Sequence, residues 1–171
     1  MAAACLRVLP LLTAALLFAQ PAAADPAAER AYLERLAGEW TGRGTAAPNP
    51  DRGSERVFCR ITGALEGGTL VQTGRCAATD RSAGVSGRIA YDPASRRYVG
   101  EWRWAVAAQP ASLSGERRGD ALVLTMSTPV ANGQVATATM TIRPQGEGYA
   151  LSVVEDATGR NAASIRFAPE G

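Results

Sequence analysis

The side chains able to do chemistry in this chain make a short inventory. It holds no histidine and no lysine, so all eighteen of its basic residues are arginine. A Ser-His-Asp or Cys-His nucleophile needs an imidazole, a Ser-Lys pair or a Schiff base needs an amine, and a phosphate loop ends in Gly-Lys, so none of these can be assembled. Carboxylates are the acid-base groups that remain. Glu101 stands beside Trp102 and Trp104, an acid next to aromatics as in sugar hydrolysis, but strand alternation turns it away from both tryptophans and makes it a surface charge. Glu155-Asp156 reads as turn chemistry, and the acids are too dispersed for a calcium loop. Two cysteines without histidine do not make a metal cage. The expectation is a protein that is not an enzyme, with no catalytic residue, metal or cofactor.

Two groups of residues remain as candidates for binding. Tyr98, Trp102 and Trp104 alternate along one stretch with Gly100 between them and would share a face, either as core or as the lining of a pocket. Arg60 and Arg75 are the second group. Guanidinium forks bind carboxylates and phosphates bidentately, so two of them converging would hold an anionic amphiphile, whereas splayed into water they are only a solvated face.

The segments that position these residues begin after a leader. Residues 1–24 carry Arg7, an apolar run from Leu9 to Ala19 and a closing Ala22-Ala23-Ala24, the pattern of a signal peptide cleaved after Ala24. The run is well short of the ~20 residues that span a bilayer, so no membrane span is expected. The predicted mature chain, residues 25–171, is one domain in the periplasm or secreted, and a monomer. Its seventeen arginines against sixteen acids nearly balance and are scattered, which excludes the basic stripe of a nucleic-acid surface.

Removing Cys5 with the leader leaves Cys59 and Cys76, an even pair that an oxidising compartment would join. Residues 55–65 and 69–77 read as strands around Gly67-Gly68, a two-residue hairpin turn. Counting back from that turn sets Cys59 opposite Cys76 in a non-hydrogen-bonded pair, where side chains come closest. The same register opposes Arg60 and Arg75.

Asp25-Pro26 starts a helix running to about Leu36. A strand near 40–45 follows, and further strands are predicted near 84–91, 97–105, 111–117, 121–127, 134–143, 148–155 and 161–167, with turn residues between them. Short connections make neighbours antiparallel. The fold class is therefore all-β: an antiparallel up-and-down meander with a short N-terminal helix, closed into a barrel because open edges would template aggregation, with an open two-sheet sandwich as the alternative.

Leu36-Ala37-Gly38-Glu39-Trp40, a short helix leading into Gly-x-Trp, resembles the entry of calycin-type barrels such as lipocalins, fatty-acid-binding proteins and avidins. That resemblance implies that Trp40 plugs one end of a calycin-like barrel and that Arg166, in a late strand, packs across it. The chain also resembles small exported proteobacterial proteins with Leu-x-Gly-x-Trp, a Cys-containing strand, a glycine turn and a strand ending in Cys-Ala, here Cys76-Ala77. This group implies a compartment and a fold and no function. Gly-x-Trp with two cysteines is similar, too, to bacterial barrel inhibitors of secreted metalloproteases, whose N-terminal segment enters the protease cleft; here Asp25-Pro26-Ala27 begins a helix instead.

The function expected is non-catalytic binding of a small, partly apolar or anionic amphiphilic ligand. The alternative is an envelope protein-interaction module or protease inhibitor with a filled barrel. An enclosed apolar cavity of roughly 300 Å³ or more distinguishes the first from the second.

Overall fold

The computed structural model describes residues 25–47, 53–105, 109–130 and 133–171. The expected leader and cleavage site lie outside the described residues. Among them, no helix is long and apolar enough to cross a membrane.

One helix, α1 (Pro26–Glu34), precedes ten strands: β1 (Gly38–Ala46), β2 (Glu55–Glu66), β3 (Thr69–Ala77), β4 (Ser82–Asp92), β5 (Arg97–Trp104), β6 (Ala111–Arg118), β7 (Ala121–Pro129), β8 (Val135–Gln145), β9 (Gly148–Glu155) and β10 (Asn161–Pro169). Every strand pairs antiparallel with its sequence neighbours, and β1 pairs with β10, so the sheet closes on itself. Closure leaves no edge, which rules out the sandwich.

Asp25 caps α1 by accepting the Ala27 amide at 3.0 Å, with Pro26 in the first turn. The helix stops at Glu34, two residues before the expected end. Leu36 and Ala37 donate instead to carbonyls three residues back, at 3.0 and 3.1 Å, a tighter winding that still delivers Leu36 to the core.

The hairpin register is the one counted from the turn. Cys59 pairs with Cys76 and Arg60 with Arg75, and the cysteines form a disulfide across Cα atoms 4.0 Å apart. Gly67 and Gly68 have φ of 56° and 88°, the left-handed values a primed turn requires. Glycine serves a different purpose at Gly87, where an added Cβ would stand 2.3 Å from the Trp102 ring. The Trp102 indole occupies the space that a side chain at this position of β4 would take.

Burial alternates along the strands as period two requires, with Ile61, Ile89, Leu113, Leu124, Met140 and Ile165 inward. The α1 residues Tyr32 and Leu33, with Leu36, enter one end of this interior. The hairpin turns after β2, β4, β6 and β8 lie at that end.

Candidate functional site

Inward side chains change size along the barrel. In β8, Met140 and Ile142 lie toward the helix and Ala136 and Ala138 toward the other end; in β10, Ile165 and Phe167 give way to Ala163. Large residues therefore fill the half that α1 covers, and alanines leave the other half hollow. The result is a cavity of about 870 Å³ that occupies the barrel interior away from the helix.

Tyr149 and Phe167, stacked at 4.6 Å between ring centroids, and Trp102 form the deep part of this cavity, with Trp104 and Met126 on its wall. Trp40 lies behind Tyr149, edge to face at 5.1 Å, and its indole N–H donates to the Leu36 carbonyl at 3.1 Å. Burial pushes the Tyr149 hydroxyl above the usual tyrosine range.

Charge appears at the mouth. Arg81 pairs with Glu55, and Arg160 pairs with Glu155 while donating to the Ala47 carbonyl at 2.6 Å. The Arg160 hydrogen bonds, helped by the Thr158 hydroxyl, hold the Glu155 carboxyl below its ordinary range. All four charged residues belong to the arc of rim formed by β9, β10, β1, β2 and the β3–β4 connection, and each arginine meets a glutamate. Across the mouth, the lining from β7 and β8 is uncharged, with Thr128, Val135 and Ala136.

The structure separates the aromatic candidates. Trp102 and Trp104 line the cavity, whereas Tyr98 is 1% exposed in the filled half, where its hydroxyl meets the Glu29 carboxylate and the Glu29 carbonyl. Glu29 also receives Arg117 at 2.9 Å, and the three side chains fasten α1 to the barrel. Arg60 and Arg75 stay together but outside, away from the cavity. Arg60 meets Glu170 at 3.3 Å, and Arg75 donates to Ser82 at 2.9 Å.

Arg166 does not pack across Trp40. Ile165 and Phe167 point inward, so alternation turns Arg166 outward, where it is exposed and pairs in register with Arg43. The partner of Trp40 is Tyr149 instead.

Sequence reading missed the Glu29–Arg117 pair and both ion pairs of the rim. Glu29 had a signal, since it precedes Tyr32, Leu33 and Leu36 at helical spacing and so lies on the stripe that enters the barrel. Of the rim pairs, Arg160–Glu155 spans only the β9–β10 turn and had a local signal in its spacing, whereas Glu55–Arg81 had none, because it joins β2 to the β3–β4 connection.

A protein-family comparison matches residues 25–158, from the cap of α1 to the turn after β9. The chain belongs to the DUF1579 family. DUF1579 is described as a protein of unknown function, and its matched span includes the cavity-lining tryptophans and both cysteines. No curated protein matches the sequence.

Proposed function

We propose that this DUF1579 protein is an exported, non-catalytic carrier that holds a small, largely apolar ligand inside its barrel. The observation that carries this reading is the apolar cavity of about 870 Å³, within the range of small-molecule sites and well above the size that separates a binder from a filled barrel. Two further features support it. The cavity's charges are confined to the rim, where Glu55 and Glu155 already neutralise Arg81 and Arg160, so an uncharged or zwitterionic polar end suits the mouth better than a bare carboxylate. A disulfide in the cavity wall is expected of the oxidising compartment to which the leader sequence points.

Native mass spectrometry of the protein purified from its own cell envelope tests the proposal. The expected spectrum contains a protein–ligand species that collapses to the bare mass on collisional activation and is absent in an Ala138→Trp variant. A bare mass alone, from gently handled material, contradicts it.

A further inference from the structure

The outer face of the barrel opposes like charges twice. Arg43 faces Arg166 across β1 and β10, and Arg60 faces Arg75 across β2 and β3. Like charges directly opposite each other destabilise a ladder, and here their compensation is uneven. Arg60 has Glu170, Arg75 has a neutral hydroxyl, and Arg43 lies over the Phe58 ring at 5.4 Å. Arg166 has no ion-pair partner among the described residues.

Arg166 forms one wall of a shallow groove of about 180 Å³ on this face. The register sets Arg143 and Arg166 on either side of Ala150, whose small side chain leaves the floor low between two guanidinium arms. The next row of the ladder brings the hydroxyl residues Thr141, Ser152 and Ser164 along the groove, and no carboxylate lines it. Arg143 gives one nitrogen to Asp120 at 3.2 Å, a contact between two largely exposed groups that is weak in water. The groove thus gathers two forked cations and three hydroxyls.

We propose that this groove binds a phosphate group, with Arg143 and Arg166 as its bidentate donors and Ser152 and Ser164 as supporting hydroxyls. Guanidinium matches the geometry of phosphate oxygens better than any other side chain, and a phosphate here would offset the repulsion between Arg43 and Arg166. The volume equals that of about six waters, room for a tetrahedral oxyanion. The groove lies on the outside of strands whose inner side bounds the cavity, so this site stands or falls independently of the carrier reading.

Two probes applied to the mature protein at low ionic strength test the site. Calorimetry uses inorganic phosphate, and vesicle sedimentation compares phosphatidylcholine alone with an equal mixture of phosphatidylcholine and phosphatidylglycerol. Saturable binding to at least one probe is expected, weakened about tenfold or more by Arg166→Ala and by Arg143→Ala. Arg30→Ala, an exposed arginine on α1, should leave it unchanged. Binding to phosphate alone assigns a soluble ligand, and binding to the mixed vesicles alone assigns a lipid headgroup. No binding to either, or an equal loss in Arg30→Ala, overturns the proposal. Where alanine disturbs folding, Arg166→Gln keeps an aliphatic stem on the sheet while removing the charge and the guanidinium fork.

Discussion

At the scale of single residues, the most consequential group is the buried cluster of Glu29, Arg117 and Tyr98. Glu29 is 4% exposed, and its carboxylate can be tolerated there only because a guanidinium and a phenol meet it. Replacing it by alanine leaves Arg117 without its ion pair and the Tyr98 hydroxyl without its carboxylate. Because Arg117 is about one-third exposed, part of that loss is returned by water, and Glu29→Ala should cost roughly 2 to 4 kcal/mol in urea unfolding. The tyrosines also fix the alkaline limit. Burial pushes the Tyr32 hydroxyl up to about 12, and burial together with the Glu29 carboxylate raises Tyr98 as well. A folded-state pKa above the unfolded value of about 10 contributes stability that is complete below pH 10 and lost as pH rises toward 12. For Tyr32 alone the loss is roughly 2 to 3 kcal/mol over that interval. Thermal midpoints measured from pH 8 to pH 12 should fall above pH 10, and less steeply in Tyr32→Phe. An equally steep fall in that variant would show that Tyr32 does not contribute. Histidine and lysine contribute nothing to this profile, since the chain has neither.

At the scale of elements, the β2–β3 hairpin shows how far local rules reach. Two glycines fix the turn, the turn fixes the register, and the register brings the cysteines together, so each step was legible before the fold was known. The strands were legible for the same reason, because alternation and turn residues are local signals. At Arg166 the calycin likeness and strand alternation point opposite ways, and alternation prevails, because Ile165 and Phe167 on either side of it face inward. Tyr98 was grouped with Trp102 and Trp104 by that same alternation, correctly as to face. Only the position of α1 at one end separates it from them, and that depends on contacts distant in sequence. The disulfide closes a loop with a sequence separation of 17, for which the loss of unfolded-state entropy is worth about 3 kcal/mol. Reduction should lower the thermal midpoint accordingly, and alkylation of residues 25–171, denatured but unreduced, should label no thiol. Two labelled thiols would contradict the pairing.

At the scale of the whole molecule, closure of ten strands creates an interior, and the gradient of side-chain size along those strands decides how much of it is filled. The alanines that leave one half hollow were visible in the sequence, but their meaning was not, since an inward alanine signals a cavity only if its neighbours on other strands are also small. The Glu55–Arg81 rim pair and the outer groove were illegible for a related reason, since each depends on which side chains three neighbouring strands bring side by side. Two of the three tryptophans line the cavity, so the interior reports on its own occupancy. The most direct test is titration of residues 25–171 with N-phenyl-1-naphthylamine, an uncharged apolar fluorophore, against the Ala138→Trp variant, whose added indole projects into the hollow half. Saturable one-to-one enhancement of probe fluorescence with quenching of the intrinsic tryptophans, both lost in a variant that keeps the parent's far-ultraviolet circular dichroism, is the predicted result. Absence of binding by the parent, or undiminished binding by the folded variant, would contradict a ligand-holding barrel.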